Sequence, residues 1–320
     1  MKWVGAVFVL AVIAVAGAAG YGYWHFQNDP GPVEDTQIVI PRGAGVLQTA
    51  FMLESAGVIS DARLFAVGVR LHGTDRYLKA GEYRIPAGAT MRDVMDLLHD
   101  GDTVDRWLTI PEGLSTKQIV TLVAAEEALS GEITELPSEG SLLPETYHFS
   151  LGDDRAALLK RMQREMDEAL AEIWPNRAEN LPISSKQEAL ILASIVEKET
   201  AIPAERGRVA AVFTNRLRRG MMLQSDPTII YGLTGGEPLG RRIRQSELDR
   251  KTPYNTYHFA GLPPTPIANP GLESIKAVLN PPETKELYFV ADGTGGHAFA
   301  RTYREHQENV RKWRRLNRNK

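Results

Sequence analysis

Glu199 is the residue of this 320-residue sequence whose setting most directly suggests chemistry. Read as a helix, the run Leu190 to Thr200 places Leu192, Ile195, Val196 and Glu199 at i, i+3, i+4 and i+7, on one face. A carboxyl group therefore lies in line with an apolar stripe, while Glu197 falls on the opposite side near Leu190 and Ser194. Apolar surroundings disfavour the charged form of a carboxyl group and raise its pKa. An acid that keeps its proton near neutral pH can act as a general acid. A glutamate near a helix end can equally turn to solvent, so periodicity alone leaves both readings open.

Hydrolysis of a glycosidic bond ordinarily takes two carboxyl groups, one as acid and one as base or nucleophile. Glu205 and Asp226 are the nearest second carboxylates. Glu205 reads as a first-turn acid that balances the dipole of the next helix. Asp226-Pro227 reads as an N-cap followed by proline at the first helical position. Neither is a persuasive partner. One acid suffices where the substrate brings its own nucleophile. The 6-hydroxyl of N-acetylmuramic acid can attack its own anomeric carbon, and one Glu can act as acid and then as base. Such chemistry needs no metal or organic cofactor. The seven histidines show no HExxH-like spacing, and His297 reads as a loop residue. The glycines Gly293, Gly295 and Gly296 lack the strand-turn-helix setting of a dinucleotide site, and there is no Gly-x-Ser-x-Gly elbow.

The elements that would position Glu199 can be read around it. Ser185-Lys186-Gln187-Glu188 has the Ser-x-x-Glu form of a capping box and opens the Glu199 helix. Ala204 to Arg219 reads as the next helix, closed by Gly220. Thr228 to Leu233 reads as a short third one. Tyr254 to Gly271 is rich in Pro and Gly and reads as a loop. Leu287 to Ala291 reads as a strand, Asp292 to Gly296 as a turn, and Tyr303 to Leu316 as a basic helix whose charges are solvated. Further upstream an amphipathic helix is expected from Asp154 to Ile173.

Nearer the N-terminus, Ile40-Pro41-Arg42-Gly43, Ile85-Pro86-Ala87-Gly88 and Ile110-Pro111-Glu112-Gly113 each close a β-like run and precede a helix-like pattern. Proline stops the strand ladder and glycine permits the turn. A helix from Asp61 to Leu71, with Asp61 as N-cap and Leu64, Val67 and Leu71 on one face, gives the first unit a β-α-α-β order. The expected fold is α+β. It has an N-terminal transmembrane helix (residues 1–26), a linker (27–35), a small α+β region (36–129) and a mainly helical domain with some strands (130–320).

Composition sets limits. Charged residues make up 24% and hydrophobic residues 43%, which excludes a disordered chain and a multispanning membrane protein. The net charge of −3 gives no reason to expect a nucleic-acid partner. The absence of cysteine excludes disulfides, zinc-thiolate sites and thiol nucleophiles. Trp3 to Trp24 carries no charge and is long enough to cross a bilayer, with Trp3 at one interface and Tyr21, Tyr23 and Trp24 at the other. Ala16-Gly17-Ala18 offers a competing reading as a signal-peptide cleavage site, but the long apolar stretch and the aromatics beyond it favour an anchor. With Lys2 inside, the bulk of the chain would lie outside the cytoplasmic membrane.

The segment Ala193-Ser194-Ile195-Val196-Glu197-Lys198-Glu199-Thr200 resembles a signature of the endolytic murein transglycosylase family, with its YceG-like domain. Similar motifs follow in order: Asn215-Arg216-Leu217, Gly220 to Thr228, Tyr254-Asn255-Thr256-Tyr257, Gly261 to Gly271, and Tyr288 to His297. The resemblance implies a membrane-anchored lytic transglycosylase of the bacterial inner membrane, facing the periplasmic or extracytoplasmic side. It would cut the MurNAc–GlcNAc β-1,4 bond of peptidoglycan glycan strands and leave a 1,6-anhydro-MurNAc end. Lytic transglycosylases place a small hydroxyl residue after the catalytic Glu, and Glu199-Thr200 is similar to that pair. Family members also carry a LysM-like, glycan-binding region, to which Thr36–Ile85 is similar. Glycan-polymerising synthases are implied as partners. Gln224, Ser225 and Asp226 are candidates to bind sugar hydroxyl or acetamido groups, although Ser225 and Asp226 can also be simple caps. Tyr254, Asn255 and Tyr257 are candidates for a saccharide wall, or for a loop packed on its own aromatics. Two other readings remain at this point: a membrane-tethered glycan-binding scaffold without turnover, and a two-carboxylate muramidase using Asp226 or Glu205.

Overall fold

A computed structural model describes residues 2–74 and 78–318, without the side chains of 2–4 and 317. The interfacial placing of the Trp3 side chain therefore lies outside the described residues. The chain is a mixed α/β protein, about half of it helical. It divides into two compact units, Met1–Arg106 with His148–Leu151, and Trp107–Tyr147 with Gly152–Lys320.

The first unit begins with helix α1 (Lys2–Asn28), which runs two residues into the stretch read as a linker. Its span Gly5–Asn28 is long and apolar enough to cross a membrane and is not buried against the protein. Only its end is anchored in the fold: Phe26 is 2% exposed. Strand β1 (Thr36–Ile40), helices α2 (Val46–Ser55) and α3 (Ala62–Leu71), strand β2 (Gly81–Ile85) and helix α4 (Met91–Asp100) follow. The strands pair antiparallel, Thr36 opposite Ile85 and Ile40 opposite Gly81. Ile38, Ile40, Leu53, Phe65, Val69, Tyr83, Ile85, Met95 and Leu98 form the core. Asp61 caps α3, its carboxylate accepting from the amides of Arg63 and Leu64 at 2.8 and 2.9 Å.

The face assigned to α3 is corrected by the structure. Val67 and Leu71 are 49% and 80% exposed, and the buried side is Ala62, Phe65, Ala66 and Val69. Both stripes have helical spacing; the larger Phe65 ring and the small residues beside it allow closer packing. Gly68 belongs to that close contact, because a Cβ there would meet the Phe26 ring at 2.3 Å.

Strands β3 (Arg106–Thr109) and β4 (Thr146–Phe149) pair with each other, and the boundary between the units passes through both. All three Ile-Pro-x-Gly segments make strand-to-helix turns, with Gly43, Gly88 and Gly113 at φ of 84°, 77° and 76°. The third leads into α5 (Thr116–Ala125), a helix of the second unit.

In the second unit, α6 (Arg155–Ile173) is capped by Asp154 and buries Leu158, Leu159, Met162, Met166 and Leu170. Then come α7 (Lys186–Glu199), α8 (Pro203–Arg218), α9 (Asp226–Thr234), the single turn α10 (Gln245–Leu248) and α11 (Leu272–Leu279). Strands β5 (Tyr288–Ala291) and β6 (His297–Ala300) form a hairpin, and α12 (Tyr303–Arg318) ends the described chain.

Helix α7 is the axis of this unit, packed by α8, α9 and α11. Every residue from Ala189 to Val196 is buried. A helix stretch that is apolar all round is wrapped all round, so the stripe of Leu192, Ile195 and Val196 is not its only buried side. Glu197 is itself only 6% exposed, 3.6 Å from Arg206. Its other oxygen accepts from the Gly271 amide at 3.0 Å, at the N-terminus of α11. Gly271 lets the Glu112 side chain approach closely: a Cβ there would lie 1.8 Å from Glu112 Oε1 and displace it.

Candidate active site

Ser185 starts α7 as its N-cap, accepting from the Glu188 amide at 3.1 Å. The Glu188 carboxylate accepts from Ser184 instead of closing the box. The helix ends on Glu199. Thr200 is its C-cap, and the Thr200 hydroxyl accepts from the Ile202 amide at 3.0 Å, turning the chain toward α8.

Glu199 is half-buried: protein crowds most of its side chain and part of its surface stays open. Its Oε1 accepts from the Ser225 hydroxyl at 2.5 Å. The carboxyl pKa is pushed up to about 7, first of all by burial. The Ser225 hydrogen bond opposes that rise, the Asp226 charge adds to it, and His297 and Arg216 oppose it.

Ser225 was open to a capping role, and the structure gives it another one. It sits at the N-cap position of α9, yet its side chain makes no cap hydrogen bond. Asp226, read as the N-cap, is the first residue of the helix and Pro227 the second. The exposed Asp226 carboxylate accepts from the Tyr257 hydroxyl at 2.7 Å. Burial, then the Asp226 hydrogen bond, raise the Tyr257 pKa and keep that hydroxyl a donor. Gln224 is exposed and has φ 49°, a left-handed conformation strained for a non-glycine residue. Its amide donates to Thr256 O at 3.1 Å. Glu199, Ser225, Asp226 and Tyr257 are thus linked in one constellation, with Gln224 beside it.

Tyr254 and Asn255 are turned to other work. The Tyr254 ring packs on Tyr231 at 5.0 Å and its hydroxyl pairs with Thr265 at 2.8 Å. Asn255 is 1% exposed. Its amide donates to the carbonyls of Leu248 and Arg250 at 2.8 and 2.7 Å, and its oxygen accepts from the Tyr257 amide at 3.1 Å. A side chain so committed folds the loop.

Residues 38–312 match the YceG-like family. The chain belongs to that family. It is 30% identical over 312 residues to an endolytic murein transglycosylase of Bacillus subtilis (strain 168), covering 86% of this chain and 84% of the relative. It is 30% identical over 357 residues to one of Streptococcus pneumoniae serotype 2 (strain D39), covering 94% of this chain but 63% of that longer relative. A crystal structure of a putative YceG-like protein from Listeria monocytogenes superposes with a TM-score of 0.53 at 29% identity, covering 86% of this chain and 99% of that one.

Two side chains of this YceG-like protein that the sequence did not mark as site residues, Arg216 and His297, act on the Glu199 carboxyl group through their charge. Arg216 is 7% exposed, and its guanidinium donates to the carbonyls of Leu287 at 2.7 Å and Leu223 at 2.6 Å. It thereby ties the residue before β5 to the residue that precedes Gln224. Burial lowers its pKa. Its signal was present: Val209, Val212, Phe213 and Arg216 have the same i, i+3, i+4, i+7 spacing as the Glu199 stripe. His297 lies on β6, not in the turn. Its Nδ1 is 2.7 Å from Glu205 Oε2, and its amide donates to Glu205 Oε1 at 2.8 Å. Glu205, placed by its sequence position in the first turn of α8, holds this histidine as well. No spacing in the sequence pairs residues 92 positions apart. Among the described residues no cluster of three or more His, Asp or Glu could hold a metal ion.

Proposed function

We propose that this YceG-like protein is an endolytic lytic transglycosylase that cleaves the MurNAc–GlcNAc β-1,4 bond of peptidoglycan, with Glu199 as acid and then base. The observation that carries this reading is a recessed carboxyl group with its pKa raised to about 7 and one oxygen held by Ser225. The names of the relatives support it. The protonated Glu199 gives its proton to the leaving O4 of GlcNAc as the C1–O4 bond breaks. The carboxylate so formed takes the proton of the MurNAc 6-hydroxyl as the C1–O6 bond forms. Glu199 is restored, no water is consumed, and the product carries a 1,6-anhydro end.

The apolar helix α1 supports a membrane anchor that confines cutting to glycan near the extracytoplasmic face of the inner membrane. The β1-α2-α3-β2 order supports a LysM-like glycan-binding role for that region. Synthases that polymerise nascent strands are the proposed protein partners, with this enzyme ending their elongation.

The proximity of Asp226 favours a second reading, a muramidase in which Asp226 is the second carboxylate. The mass of fragments from digested peptidoglycan separates the two. Anhydro ends are lighter by one water than the reducing MurNAc ends of a hydrolase. Binding with no change in fragment mass would instead mark a scaffold.

A further inference from the structure

The segment from Leu223 to Thr228 is held more firmly than a helix start requires. Ser225, Thr228 and Thr256 are 1%, 0% and 0% exposed. Thr228 donates its hydroxyl proton to Ser225 O at 2.7 Å. Its contact with Thr256 Oγ1 at 2.9 Å must then use the Thr256 proton, because each hydroxyl has only one. Thr256 Oγ1 in turn accepts from the Ser225 amide at 3.0 Å. Both backbone polar groups of Ser225 are thus clamped by two buried threonines, and its hydroxyl is left with Glu199 Oε1. The adjacent Gln224 takes up the left-handed strain that aims the serine away from the helix it would otherwise cap.

We propose that Ser225, clamped by Thr228 and Thr256, is a positioning residue for Glu199: it occupies Oε1 and leaves Oε2 as the oxygen that donates and then accepts the reacting proton. A hydroxyl that donates to Oε1 makes Oε1 the acceptor, so the acid form carries its proton on Oε2. With rotation of the carboxyl group restrained, the same oxygen faces the leaving O4 and then the attacking O6. This inference rests on the transglycosylase reading. It differs from a sugar-binding role for Ser225, because its effect appears in turnover and in the ionisation of Glu199, not in affinity.

The test compares wild type with Ser225→Ala, Ser225→Thr and the near-isosteric Ser225→Cys, with purified peptidoglycan as substrate across pH. Ser225 stabilises the charged form of Glu199, so its loss raises the Glu199 pKa further. Asp226 of α9, Arg216 of α8, and His297 of β6 with its partner Glu205 of α8 are the other charged groups around the site, and all remain. Ser225→Ala should lower kcat about tenfold or more with KM within about twofold. The alkaline fall of kcat/KM should move to higher pH. Ser225→Thr should restore both, and Ser225→Cys, a weaker donor, should lie between. A several-fold rise in KM with the alkaline limb unmoved would overturn the proposal and make Ser225 a sugar ligand. Unchanged kcat and unchanged limb would overturn it too. The Cys and Thr variants keep the comparison open should Ser225→Ala fail to fold. Full turnover by Glu199→Gln, or reducing ends in the product, would strike the transglycosylase reading itself and is distinguishable from either result.

Discussion

Glu197 and Glu199, two residues apart on one helix, face different partners: Glu197 binds the Gly271 amide and Arg206, while Glu199 binds the Ser225 hydroxyl. Glu197 has a cation and a helix N-terminus to balance its charge. Glu199 has neither in direct contact, and burial lifts its pKa. The contrast separates a paired carboxylate from one whose ionisation is disfavoured.

Their substitutions should therefore fail differently. Glu199→Gln should remove turnover of peptidoglycan while leaving the fold intact. Glu197→Gln should lower stability by about 1 kcal/mol, because it removes one of the two carboxylates that pair with half-buried Arg206, leaving Glu112, and weakens the α11 cap. Its activity should persist below its lowered Tm. The reverse pattern, in which Glu197→Gln is stable and inactive, would exchange the two roles.

Activity and stability should both depend on the ionisation of Glu199. Its folded-state pKa is raised from 4.5 to about 7, so the acid form is lost as pH rises through about 7 and kcat/KM should fall there. A raised folded value also means that its contribution to stability is full below pH 4.5 and fades as pH rises through 7. Removing the charge should relieve this. Glu199→Gln should be more stable than wild type by about 2 kcal/mol at pH 8, and by little at pH 4. Equal thermal unfolding of the two proteins at both pH values would contradict a buried, perturbed carboxyl group.

Asp226→Asn tests which carboxylates the reaction needs. It keeps the shape and weakens the bond from Tyr257. A transglycosylase should retain measurable turnover with anhydro products, reduced about tenfold. Total loss of activity, in an enzyme whose wild-type products carry reducing ends, would point to the two-carboxylate mechanism.

Asn255→Ala should act through the loop alone. It removes the donor to Arg250 O, one of two partners of Leu248 O (the other is His258 Nε2), and the acceptor of the Tyr257 amide, which costs about 2 kcal/mol. Thermal denaturation should show the loss, and KM for glycan should hold at temperatures where the variant is folded. A raised KM in a variant of wild-type stability would return Asn255 to the sugar wall.

Much of this protein is written in local patterns. The Glu199 stripe, the Asp61, Asp154 and Ser185 caps, the Ile-Pro-x-Gly turns and the apolar first helix all follow from spacing or from one residue's own chemistry, and they survive whatever surrounds them. Periodicity put Glu199 on the apolar stripe, and the resemblance of Ala193 to Thr200 to a family signature added the choice of Glu199 over Glu197. Its setting needed more. That Ser225 abandons its helix for Glu199, that Tyr257 rather than Tyr254 or Asn255 meets Asp226, and that Arg216 and His297 add their fields depend on segments tens of residues apart meeting in space. Hydrogen bonds and charge interactions act over a few ångströms whatever the separation along the chain. Periodicity could place side chains on a common face, but only packing decided which face turns inward, as on α3, and which side chains of α7, α8, α9 and the β5–β6 hairpin touch.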